Sequence, residues 1–165
     1  MYDKCNYLFG RIQSMLKKIL IIEDNETKLE HIKAFCKQSL KQCMLNDKQS
    51  YNSAQQEVIF HGSEYDLILL DVSMNTYDNT QKEDNGEQEP LAGANILRFM
   101  KLRHIYTPVV VITMYESFVD GVRINALDER FRAQYNEIYK GFVYYNLKSD
   151  DWKDELILKL NKILR

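Results

Sequence analysis

Short, unbroken apolar runs alternate along this chain with longer segments whose apolar positions recur every three or four residues. The unbroken runs have the pattern of strands buried on both faces of a sheet, and the longer period is that of an amphipathic helix. Ile19 to Ile22 reads as the first strand, stopping at the acidic pair Glu23 and Asp24. Leu29, Ile32, Phe35, Cys36, Leu40 and Cys43 then predict a helix capped by Asp24 or Asn25, with Lys28, Lys33, Lys37 and Lys41 on its other face. The polar stretch 46–64 reads as a short edge strand near Gln49 to Asn52 and a helix from Ser53 to His61. Leu67 to Leu70 is a strand ending in Asp71, Pro108 to Ile112 is one ending in Thr113, and Phe142 to Asn146 is the last. Further helices are predicted over Leu91 to Arg103, over Val122 to Tyr139, and from Asp150 through Trp152, Leu156, Leu160, Ile163 and Leu164.

Five strands alternating with five helices imply an α/β fold, a doubly wound parallel sheet with right-handed crossovers and helices on both faces. In such sheets ligands bind at the carboxyl ends of the strands, where strand order reverses. Those ends carry Glu23, Asp24, Asp71 and Thr113, with Lys148 shortly after the last strand. At ~5 Å and an effective dielectric of about 20, each carboxylate pair repels by roughly 3 kcal/mol, so the cluster calls for a cation. An all-oxygen site with room for water suits Mg²⁺. With the ion in place Asp71 becomes a nucleophile toward an activated phosphoryl donor, while Lys148 and Thr113 contact the phosphoryl oxygens.

The length of 165 residues fits one domain. With 22 Lys and Arg against 24 Asp and Glu the net charge is -2, which argues against nucleic acid or an anionic membrane as partner. Three cysteines without C-x-x-C spacing, Cys36 and Cys43 among them on the predicted helix's buried face, suit a reducing cytoplasm. Apolar runs fall short of a membrane span, and Asp3, Lys4 and Arg11 interrupt the first residues, so neither anchor nor export signal is expected. Met15 opens a natural start, Met-Leu-Lys-Lys-Ile-Leu-Ile-Ile, and residues 1–16 are read as an extension to a domain spanning 17–165. Residues 75–90 hold Asp78, Glu83, Asp84, Glu87 and Glu89 against Lys82, a charge of about -4 with the composition of a mobile loop. His31, His61 and His104 fall on separate elements without acids at ligand spacing and are assigned no chemistry.

Four segments in this order resemble the receiver domain of response regulators: Lys-Ile-Leu-Ile-Ile-Glu-Asp-Asn at 18–25, Tyr-Asp-Leu-Ile-Leu-Leu-Asp-Val-Ser-Met at 65–74, Pro-Val-Val-Val-Ile-Thr at 108–113 and Gly-Phe-Val-Tyr-Tyr-Asn-Leu-Lys at 141–148. The resemblance implies a flavodoxin-like sheet of order 2-1-3-4-5, with Asp71 as phosphoacceptor. It implies Mg²⁺ held by Glu23, Asp24, Asp71 and the backbone carbonyl of Ser73. Thr113 and Tyr145 match the paired switch positions, and Lys148 the phosphate-binding lysine. Ser149 follows that lysine where the family has proline, and the segments at 75–90 and 117–140 are longer than the family's. The implied role is a cytoplasmic two-component phosphoprotein. It would take its phosphoryl group from a sensor histidine kinase or phosphotransfer protein and pass the signal to a downstream protein target, with homodimerisation left open. Two rival readings stay in play: a receiver-like module that binds its partner without phosphorylation, and a Mg²⁺-dependent phosphohydrolase. The second lacks a general acid, because Ser73 stands two residues after Asp71.

Overall fold

A computed structural model describes residues 16–75, 88–89, 92–116 and 123–164. Strand β1 (Lys17–Ile22) is followed by α1 (Glu26–Ser39), β2 (Cys43–Lys48), α2 (Tyr51–His61) and β3 (Leu67–Leu70). Two short strands, β4 (Met74–Asn75) and β5 (Gln88–Glu89), precede α3 (Ala92–Leu102), β6 (Val109–Thr113), α4 (Ile124–Gln134), β7 (Tyr139–Tyr144) and α5 (Asp151–Ile163). The main sheet has the order β2-β1-β3-β6-β7 with every neighbouring pair parallel, which is the expected 2-1-3-4-5 arrangement.

The unbroken apolar runs are explained by the two faces they serve. In β1, Leu20 and Ile22 pack with Val58 of α2, Ile96 and Met100 of α3 and Leu127 and Phe131 of α4. Ile19 and Ile21 point the other way, into a second core with Leu29, Ile32 and Cys36 of α1 and Trp152, Leu156 and Leu160 of α5. Strand side chains alternate between faces, so helices on both sides require every residue of a central strand to be apolar. Each fully buried aliphatic side chain contributes about 1.5–3 kcal/mol, and the inner strands β1, β3 and β6 supply twelve of them, Ile19–Ile22, Leu67–Leu70 and Val109–Ile112.

Four expected element positions are corrected. The first helix ends at Ser39, because Leu40 turns to extended dihedrals (φ -107, ψ 126) while its N–H closes on the Cys36 carbonyl. Cys43 therefore opens the edge strand β2, and the strand expected near Gln49 to Asn52 lies instead at Cys43–Lys48. Ser50 caps α2 by accepting the Ser53 N–H, so that helix starts at Tyr51. Helix α4 stops at Gln134, and Tyr139 begins β7 rather than ending a helix. Of the acidic insertion, Asn75 pairs antiparallel with Gln88 and Met74 with Glu89, while 76–87 lie outside the described residues. Residues 1–15 and 117–122, which fall in the expected extension and in the enlarged fourth-helix region, also lie outside them.

Candidate phosphoacceptor site

Strand β1 delivers Glu23 and Asp24, and β3 delivers Asp71, to adjacent positions at the carboxyl edge because Ile22 and Leu70 are register partners. One carboxylate oxygen from each of the three lies within 4.8 Å of the others. Glu23 and Asp71 are buried and Asp24 is half-buried. Asn25 ties the turn down from both sides. Its N–H donates to Glu23 Oε1 at 3.1 Å, and its own Oδ1 caps α1 by accepting the Lys28 N–H at 2.9 Å. A cap of this kind is worth about 1 kcal/mol.

Lys28 enters this cluster, although its charge suggested the solvent face. Its side chain is 1 % exposed, and the ammonium lies 2.6 Å from Glu23 Oε2, 3.4 Å from Asp71 Oδ1 and 2.8 Å from the Ile112 carbonyl to which it donates. A sequence signal existed: Lys28, Ile32 and Cys36 are spaced by four and form one inward ridge of α1, all three buried. Helical side chains also lean toward the N-terminus, which here aims Lys28 back at the strand-end acids.

The electrostatics follow from burial. With Lys28 charged, the cluster of three carboxylates carries a formal -2. Burial pushes the Glu23 carboxyl up to about 8, against the pull of Lys28 and with the charge of Asp71 adding to the rise. Asp71 is also raised by burial, opposed by Lys28 and reinforced by Asp24. For Lys28 the desolvation that would strip its proton is outweighed by Asp71 and Glu23, so its affinity for the proton rises. Such a cluster takes up a further positive charge readily. Its donor set is carboxylate oxygen throughout, which fits a hard divalent ion such as Mg²⁺.

Thr113 closes β6 in a fully buried position, where its Oγ1 accepts the Tyr115 N–H at 3.1 Å and its carbonyl accepts the Tyr145 N–H at 2.8 Å. The two expected switch residues are thus neighbours on adjacent strand ends. Tyr145 is buried against Trp152, with ring centroids 5.1 Å apart, and the Lys28 ammonium is 5.9 Å from its ring. Its hydroxyl shares a 2.7 Å hydrogen bond with Nδ1 of His31, a partner that sequence spacing did not reveal because 114 residues separate the two. Ser73 is buried two residues past Asp71. Lys148, by contrast, is exposed in the loop after β7, and its backbone N–H donates to Asn146 Oδ1. The ammonium in contact with Asp71 belongs to Lys28.

A five-stranded parallel sheet of order 2-1-3-4-5 with an acidic trio at the tips of its first and third strands defines a receiver-type α/β fold. No family model matches the chain. It is 29 % identical over 150 residues to the Detocs response regulatory protein DtcB of Enterobacter cloacae, an alignment covering 88 % of this chain and 99 % of that one. Among solved structures it is similar to a response regulator receiver domain from Clostridium thermocellum, with a TM-score of 0.60, 18 % identity and coverage of 90 % of this chain and 94 % of that one. It is also similar to the receiver domain of a sensor histidine kinase from Pseudomonas aeruginosa that has a magnesium ion in its active-site cleft; there the TM-score is 0.58, the identity 16 % and the coverage 90 % and 97 %. The likeness read from the sequence, to receiver domains of response regulators, stands in the fold. No helix among the described residues is long and apolar enough to cross a membrane.

Proposed function

We propose that this protein is a phosphoacceptor of a two-component signalling system, taking a phosphoryl group onto Asp71 from a histidine kinase or phosphotransfer protein and signalling through protein contacts. The observation that carries this reading is the convergence of Glu23, Asp24 and Asp71 within 4.8 Å at the carboxyl edge of the sheet. Glu23, Asp24, Asp71 and the Ser73 carbonyl would hold Mg²⁺, which when bound supplies positive charge to the phosphoryl oxygens. Asp71 Oδ1 accepts the Val72 N–H at 2.8 Å and faces Lys28, which fixes the carboxylate and leaves Oδ2 to attack. Oδ2 bonds to phosphorus as the P–N bond of phosphohistidine breaks, and the departing imidazole nitrogen keeps the electron pair and takes a proton from solvent. Thr113 and Tyr145, linked through one backbone hydrogen bond, are placed to respond together to the new charge and shift an existing conformational equilibrium.

The test is incubation with Mg²⁺ and acetyl phosphate, in which the P–O bond to acetate breaks instead. Intact-mass measurement is expected to show one added phosphate, absent in Asp71→Ala and after chelation. No modification from acetyl phosphate or from a phosphorylated histidine-kinase domain would overturn the reading. One observation favours the rival, a module that binds its partner without phosphorylation: Lys28 already neutralises part of the cluster. Equal partner binding by wild type and Asp71→Asn, with or without Mg²⁺ and donor, would select it.

A further inference from the structure

Lys28 breaks two ordinary rules. Lysines are almost never fully buried, and a cation in the first turn of a helix faces the positive end of the helix dipole. Its ammonium has three protons and three acceptors within reach, each from a different strand: Glu23 just past β1, Asp71 just past β3 and the Ile112 carbonyl of β6. The ammonium therefore sits against the carboxyl edge of the three central strands, beside the atom proposed to be phosphorylated, while Lys148 stays in solvent.

We infer that Lys28, supplied by the first turn of α1, is the positioning cation of the site: it offsets one negative charge of the Glu23–Asp71 pair in the resting state and holds a phosphoryl oxygen once Asp71 is modified. The second half rests on the phosphoacceptor reading, and the first does not. Modification at Oδ2 leaves Asp71 Oδ1 as the uncharged carbonyl oxygen of an acyl phosphate and adds three strong acceptor oxygens with a charge of about -2. The ammonium proton directed at Asp71 then has a better acceptor beside it, while Glu23 and the Ile112 carbonyl keep the head in place. In the resting state an ammonium sharing two carboxylates with an entering divalent ion repels that ion, so Lys28 holds metal affinity down.

The discriminating variants are Lys28→Met and Lys148→Met in the full chain. Mg²⁺ affinity is measured by calorimetry and phosphorylation by intact mass with acetyl phosphate. Lys28→Met is expected to bind Mg²⁺ about tenfold tighter or more and to be phosphorylated about 100-fold more slowly or worse. Lys148→Met should match wild type in both. Phosphorylation of Lys28→Met at the wild-type rate overturns the phosphoryl-holding role, and unchanged Mg²⁺ affinity overturns the counter-ion role. If wild type accepts no phosphoryl group from any donor, the phosphoacceptor reading falls by itself, and the Mg²⁺ titration alone decides the counter-ion role. Should Lys28→Met fail to fold, Lys28→Gln removes the charge while keeping a hydrogen-bond donor, and the same titration applies.

Discussion

Gly93 offers a sharp test of how tightly the backbone around Asp71 is packed. It is the second residue of α3, and its N–H donates to the Val72 carbonyl at 2.9 Å. A Cβ at this position would lie 2.6 Å from the Asp71 carbonyl oxygen and 2.8 Å from Val72 Cα. Two effects oppose each other in Gly93→Ala. Helix propensity favours alanine by up to about 1 kcal/mol, and by less in a first turn. Overpacking costs about 1–3 kcal/mol, and here the obstruction is backbone on both counts, which cannot swing aside as a side-chain tip can. Reaching an ordinary contact of 3.4 Å from 2.6 Å requires a movement of roughly 0.8 Å in α3 or in the Asp71–Val72 segment. The clash therefore wins, with a net loss of ~1–2 kcal/mol. For a chain of this size that is a drop in Tm of about 2–8 °C, measured by circular dichroism. Because a misplacement near 1 Å costs on the order of 100-fold in a positioned reaction, phosphorylation of Asp71 by acetyl phosphate should slow by at least about tenfold. An alanine variant as stable as wild type, and modified at the same rate, would refute the packing argument.

Two further predictions concern groups away from the site. The Cys36 thiol is pushed up to about 12 by burial, with Cys43 adding to the rise, so in a Cys5→Ser background iodoacetamide should alkylate Cys43 first. Cys36 should then react only as fast as the protein unfolds, and labelling of both at equal rates in native buffer would contradict this. The Tyr65 hydroxyl donates to Glu57 Oε1 at 2.6 Å and accepts from Asn46 at 2.8 Å; burial of Glu57 opposes, but the bonds from Tyr65 and Lys48 prevail and hold its carboxyl below the usual value. A depressed carboxylate stabilises above its unfolded value and loses that contribution as pH falls through the folded one. Tyr65→Phe should therefore cost ~1–2 kcal/mol in urea unfolding at pH 7, with the gap to wild type narrowing as pH falls below 4.5 through the lowered range of Glu57. A gap that is constant across that acid limb would show that Glu57 ionisation plays no part.

The legible parts of this chain are those where one environment acts on every residue of a segment. Strands β1, β3 and β6 are covered by helices on both faces, so their apolar runs are unbroken and end where the acids begin. The edge strand β2 has one neighbour and alternates half-buried with exposed positions, and Cys43 continues the helical spacing of Cys36 and Leu40. With neither Gly nor Pro between Ser39 and Cys43, nothing in the local sequence marks the turn. The end of α4 was hidden for the same reason. Tyr135 and Tyr139 keep the helical period of Phe131, yet Tyr135 leaves helical dihedrals (φ -132, ψ 33) and Tyr139 pairs with Val109.

Lys28 is hidden in the sequence for a different reason. Inspecting the carboxyl ends of strands finds the acids, because the acids terminate the strands. It does not find their counter-ion, which α1 supplies one turn into the helix. Three buried or half-buried carboxylates repelling by roughly 3 kcal/mol per pair need compensation whether or not a metal is bound. Among the lysines of α1, Lys28 shares the ridge of Ile32 and Cys36 and leans toward the N-terminal end where the acids lie. Charge balance around the strand-end acids points to Lys28 as their counter-ion. The exposed loop lysine matches the motif, but the buried one satisfies the electrostatics.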